Sequence, residues 1–107
     1  MEVISSLKVK IMLVLITYDV STLEPIGQKR LRHVAKICTD YGQRVQNSVF
    51  ECAINTAQLR LIKDKLLKEI DIETDSLRFY ILGDNYANKV EHYGAKPSFD
   101  VTKPLVL

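Results

Sequence analysis

Residues 8–21, reading KVKIMLVLITYDVS, constrain the fold more than any other stretch of the chain. Val9 and Ile11 alternate with Lys8 and Lys10, the run from Ile11 to Ile16 is wholly apolar, and Thr17-Tyr18-Asp19-Val20-Ser21 closes it. A short apolar run that ends abruptly in polar, turn-forming residues reads as a buried strand rather than a helix. Without alternation inside the run, the strand is expected to be covered on both faces. Asp19 then stands where a rigid strand leaves the sheet, a fixed position suited to a metal-binding or catalytic carboxylate. An Asx-type turn with Ser21 and Thr22 nearby would also put an aspartate there.

A chain of 107 residues holds one domain with one core. It is read as a leader over residues 1–11, with Met12 an alternative start, and a single domain over residues 12–107. An apolar share of 47% and a charged share of 26% exclude a disordered chain. The net charge of +2 does not by itself mark a nucleic-acid binder, but its distribution is uneven. Over residues 26–44, Lys29, Arg30, Arg32, Lys36 and Arg44 face one acid, Asp40, whereas residues 51–76 carry more acids than bases. Cys38 and Cys52 lack the paired spacing of a zinc site and read as buried thiols of a reduced, cytoplasmic protein. The apolar run is too short for a signal peptide or for the ~20 residues of a membrane span, so no membrane partner is expected.

After a loop over residues 20–27, in which Pro25 suits a first helical turn, a helix is predicted over residues 26–41. Leu31, Val34, Ala35 and Cys38 recur at i, i+3, i+4 and i+7 as its apolar stripe. Lys29, Arg32, His33 and Lys36 recur at the same spacing on the opposite side, a basic face that is either solubilising or a binding surface. Gly42 reads as the helix stop. Residues 44–46 and 49–54 flank Asn47-Ser48 as a hairpin. Asn55 with Gln58 resembles a capping box, and Leu59, Ile62, Leu66 and Ile70 mark the second helix's buried stripe. An acidic turn over residues 71–75 leads to a strand over residues 76–82, stopped by Gly83-Asp84-Asn85, and residues 104–107 suggest a short extra C-terminal strand.

The order strand, helix, strand, strand, helix, strand is the ferredoxin-like split pattern of the α+β class. Two helices cover only one face of a four-stranded sheet, yet Phe79, Tyr80 and Ile81 leave the last strand little polar surface. A second copy packing sheet to sheet is the economical cover, so a homodimer is expected.

The chain has no Ser-His-Asp arrangement, no phosphate-cradling glycine loop and no metal-spaced histidines. His33 and His92 read as surface residues, and the glycine and aromatic signature of an RNA-recognition motif is absent. Glu51 is a candidate neighbour of Asp19 at one sheet edge, at a distance the sequence leaves open. A two-fold axis near Asp19 would bring two carboxylates together, enough for a magnesium ion that keeps several waters. A metal-bound water there could attack a phosphodiester, whose backbone Lys and Arg would hold at little sequence preference.

Thr17-Tyr18-Asp19-Val20, the basic helix with Arg30 and Arg32, and the block RVQNSVFEC from Arg44 to Cys52 resemble the second CRISPR-associated core protein. This is a family of small ferredoxin-like endonucleases of the spacer-acquisition complex. Ser76-Leu77-Arg78-Phe79-Tyr80 and Gly94-Ala95-Lys96-Pro97 look like the branch that accompanies one subtype of the multi-subunit interference systems. The resemblance implies a homodimer with one divalent ion, Mg2+ or Mn2+, between the two Asp19 side chains. It implies a partner, the CRISPR integrase, whose two dimers are bridged around duplex DNA, and nuclease activity on single-stranded RNA or double-stranded DNA. Carried onto this chain, it makes Asp19 the metal ligand and Asp19 with Tyr18 the catalytic pair. Lys29, Arg30, Arg32, Lys36 and Arg44 would bind nucleic acid, with Ser48 and Phe50 in support. Phe50 reads equally well as plain core, and Arg44 as the partner of an acid across the hairpin. Many relatives place basic residues directly after the aspartate loop, whereas here Ser21-Thr22-Leu23-Glu24-Pro25 intervenes.

Three functions are therefore expected in competition: a magnesium-dependent endonuclease, a structural adaptor for duplex DNA and integrase, and a regulatory module binding a small ligand between subunits. The Tyr18-Asp19 motif and the one-signed basic face argue against the third.

Overall fold

The apolar run becomes a central strand. In the computed structural model, which describes residues 9–84 and 89–93, β1 (Met12–Asp19) is followed by α1 (Pro25–Thr39), β2 (Gly42–Gln46), β3 (Val49–Ile54), α2 (Thr56–Glu69) and β4 (Ser76–Gly83). The strands form one antiparallel sheet in the order β2-β3-β1-β4, the ferredoxin-like arrangement expected from the element order. Residues 1–8 of the leader, Gly94-Ala95-Lys96-Pro97 and the expected strand over residues 104–107 lie outside the described residues. Among the described residues no helix is long and apolar enough to cross a membrane.

Alternation along β1 sorts its side chains. Val14, Ile16 and Tyr18 join Phe50, Cys52 and Ile54 of β3 in the core beneath the helices. Leu31, Val34, Ala35 and Cys38 of α1 and Leu59, Ile62 and Leu66 of α2 close that core from above. The other parity, Leu13, Leu15, Thr17 and Asp19, points to the helix-free face. There Leu13 is fully buried, but Leu15 and Thr17 are only partly so. Cover on both faces, as the apolar run predicts, is thus complete on the helix side and partial on the other within one chain.

The capping box of α2 is present: Asn55 Oδ1 accepts from the Gln58 N–H at 2.7 Å, and Gln58 Oε1 accepts from the Asn55 N–H at 3.0 Å. Ile70 is the C-cap of that helix and packs against the core from outside it. Gly42 differs from expectation. It begins β2 rather than ending α1, whose C-cap is Asp40 in the right-handed region. A Cβ at Gly42 would meet the Glu51 carbonyl oxygen at 2.2 Å, so glycine is required there by close strand approach. Gly27, assigned by sequence to the loop, is buried in the first turns of α1, where a Cβ would lie 1.8 Å from the Ser21 carbonyl oxygen. It presses the segment after Asp19 against the helix.

Candidate active site

Asp19 is the last residue of β1 and is exposed on the helix-free face. Its register partner on β4 is Ser76, while Thr17 stands opposite Arg78 and Leu15 opposite Tyr80. On the other side Thr17 pairs with Val49, and the Tyr18 N–H donates to the Ser48 carbonyl at 3.0 Å. The β2–β3 turn is thereby fastened beside the end of β1. These elements enclose a cleft of about 360 Å3, lined by Thr17, Tyr18, Asp19, Ser48, Ser76, Arg78 and Tyr80. Its lining is polar hydroxyls, one carboxylate and one guanidinium.

Tyr18 and Asp19, expected as a catalytic pair, point their side chains to opposite faces of β1. Tyr18 is buried, and its hydroxyl donates to Asp75. Burial, then the hydrogen bond to Asp75, pushes its pKa up to about 12. Arg30, expected on nucleic acid, reaches the same carboxylate in a two-pronged contact, Nε to Oδ2 at 2.9 Å and a terminal nitrogen to Oδ1 at 3.2 Å. The Asp71 N–H and the Thr74 hydroxyl add donors at 3.0 and 3.1 Å. Burial alone would raise the Asp75 pKa, but these hydrogen bonds outweigh it and hold the carboxyl below its ordinary value. Tyr18, Arg30 and Asp75 therefore form one brace that ties the end of β1 and α1 to the turn before β4.

The remaining basic residues lie away from the cleft. Lys29, Arg32 and Lys36 are exposed on α1, on the far side of the sheet from Asp19. His33 of the same stripe contacts Glu69 of α2, with 2.7 Å between Nδ1 and Oε1. Arg44 shares the Phe50 side of β2, its guanidinium 5.6 Å from that ring centroid, and Nε donates to the Asn47 carbonyl at 2.7 Å. It shapes the turn that carries Ser48. Phe50 is fully buried core. Both cysteines are buried free thiols; burial pushes Cys38 up and Cys52 to about 12, so neither is a nucleophile.

Glu51 shares the helix-free face but pairs with Leu15. Four residues separate it from Asp19 along the strand, roughly 13 Å. The two carboxylates thus do not form one site. Glu51 Oε1 is buried without a hydrogen-bond partner among the described residues, and that burial raises its pKa. No group of three or more His, Cys, Asp or Glu among the described residues is arranged to hold a metal ion. Among the described residues lining the cleft Asp19 is the one carboxylate, which fits half of a magnesium site built from two carboxylates and water.

A family model described as CRISPR associated protein Cas2 matches residues 12–90. The chain belongs to the Cas2 family. A Cas2 of Nitratidesulfovibrio vulgaris, named CRISPR-associated endoribonuclease Cas2, is 62% identical over 96 residues, covering 90% of this chain and 94% of that protein. The CRISPR-associated endonuclease Cas2 of Halalkalibacterium halodurans is 62% identical over 95 residues, covering 89% and 99%. A crystal structure of Streptococcus pyogenes Cas2 at pH 6.5 superposes with a TM-score of 0.72 at 60% identity, covering 78% of this chain and all of that one. The resemblance read from TYDV and RVQNSVFEC is thus borne out.

Sequence reasoning gave no site role to Asp75, Ser76, Arg78 and Tyr80. Arg78 and Tyr80 carried a usable signal: two positions apart on a strand, they share one face. Asp75 gave none, because it sits in an acidic turn whose long-range partners appear only in the fold.

Proposed function

We propose that this chain is a metal-dependent endonuclease of a CRISPR system that works as a homodimer, with Asp19 of each copy at the two-fold axis. The observation that carries the reading is the exposed Asp19 carboxylate at a rigid strand end, opening into a polar cleft on the helix-free face. That face retains partly buried Leu15 and exposed Tyr80, the kind of surface a second sheet covers. Two Asp19 carboxylates facing each other repel, and a divalent cation between them offsets that repulsion. Mg2+ or Mn2+ held there would supply Lewis-acid stabilisation of the phosphate oxygens. Ser48 and Ser76 offer hydroxyls at the cleft wall, while Tyr18 acts through its brace on Asp75 to fix where β1 ends.

A second role, bridging duplex DNA and the CRISPR integrase during spacer acquisition, is favoured by the exposed Lys29, Arg32 and Lys36 on the opposite side. A sequence-tolerant basic face suits a duplex backbone. Cleavage and scaffolding would then use different surfaces. The test is Asp19→Asn: metal-stimulated cleavage of single-stranded RNA and double-stranded DNA should fall at least ~100-fold, the order lost with a principal electrostatic group. Folding and duplex binding should be unchanged. Cleavage persisting at the parent's rate would refute Asp19 as the metal ligand.

A further inference from the structure

The five bases assigned to nucleic acid by sequence belong to α1 or to the Phe50 side of β2, whereas Asp19 opens on the helix-free face. A phosphodiester held at the Asp19 cleft therefore meets none of those five bases, and its own negative charge calls for a cation on the cleft wall itself. Among the described residues lining the cleft, Arg78 is the only positively charged side chain.

Arg78 stands opposite Thr17 and therefore diagonal to Asp19, which is paired with Ser76. Diagonal positions on neighbouring strands are roughly 7–8 Å apart, within reach of long side chains. Even so, none of the ion pairs among the described residues joins Arg78 to Asp19. One terminal nitrogen of Arg78 donates to the Tyr80 hydroxyl at 3.2 Å. That contact orients the guanidinium, and among the described residues its other N–H groups make no hydrogen bond. The Tyr80 hydroxyl first, and the Asp19 carboxylate to a lesser degree, hold Arg78 more firmly charged. A planar fork of donors matches two phosphate oxygens at once.

We propose that Arg78 is the phosphate-binding residue of the Asp19 cleft, gripping the backbone of the scissile strand, with Tyr80 as the positioning residue that orients it. The inference rests on the nuclease reading of Asp19, and its test is built to stand apart from that reading.

Binding is measured by fluorescence anisotropy with labelled oligouridylate in the Asp19→Asn background, where cleavage is silenced, across a series of salt concentrations. Arg78→Ala should weaken binding about tenfold and reduce the salt slope by about 1, the signature of one lost phosphate contact. Arg78→Gln, which keeps length without charge, should do the same and covers the case in which the alanine variant unfolds. Arg78→Lys should recover part of the loss, and Tyr80→Phe should show a smaller one. With Asp19 intact, Arg78→Ala should raise KM more than it lowers kcat. Parent-like affinity and salt slope in a folded Arg78→Gln protein would overturn the assignment, as would absence of oligouridylate binding by the parent. Continued cleavage by Asp19→Asn would sink the Asp19 reading instead, while the binding comparison still decides Arg78.

Discussion

Asp75 shows how one residue can matter to a site without lining it. Its carboxylate accepts from Tyr18, Arg30, Asp71 and Thr74, and its side chain is almost wholly buried, at 1% exposure. Because those donors hold its pKa below the ordinary value, the unfolded chain binds this proton more readily than the native one. The brace's contribution to stability is therefore complete above the unfolded carboxylate pKa of about 3.9 and is lost as pH falls through the lower native value. Asp75→Asn should unfold at lower temperature than the parent at neutral pH, and the difference should shrink as the solution is acidified below that range. Thermal melts over a pH series check this; a gap that widens on acidification would contradict it. Tyr18→Phe removes a donor to a charged acceptor and should cost about 1.5–3 kcal/mol by denaturant titration.

At the scale of elements, most of the fold was legible because periodicity and local caps are local facts. The stripe of α1, the Asn55–Gln58 box and the Asn47-Ser48 hairpin turn stand where spacing put them. The opposite facing of Tyr18 and Asp19 was itself legible, since neighbours on a strand alternate, and pairing them as catalytic overlooked that period; which face carries the helices was not. Arg30 reads as one more base for nucleic acid, and only the fold joins it to Asp75, 45 residues away. Gly42 was likewise assigned the wrong reason, since close approach to a neighbouring strand leaves no local mark. Gly42→Ala should destabilise the protein by about 1–3 kcal/mol, because the clash is with backbone of β3 and cannot be relieved by a rotamer change. A melting temperature equal to the parent's would count against that reading. On α1, charge reversal at Arg32 and Lys36 should weaken duplex affinity and lower its salt dependence without changing the melting temperature. Reversal at Arg30 should instead lower the melting temperature, since it strands the buried Asp75. Competition binding and melts on the three variants separate the two effects.

At the scale of the whole molecule, the described residues form a sheet with helices on one side, and function depends on what lies against the other. Leu15, Thr17 and Asp19 of β1 share that face with Val49, Glu51, Arg78 and Tyr80, so partly exposed Leu15, Val49 and Tyr80 adjoin the polar cleft. In the proposed homodimer a second copy placed there would cover those side chains and bring a second Asp19 carboxylate to the first. The number of metal ions per chain then becomes a structural quantity. The most direct measurement is the stoichiometry of Mn2+ bound at equilibrium, read by electron paramagnetic resonance on protein of known oligomeric state. One ion for every two chains is expected, lost in Asp19→Asn while the dimer persists. One ion for every single chain, or undiminished binding in that variant, would contradict it.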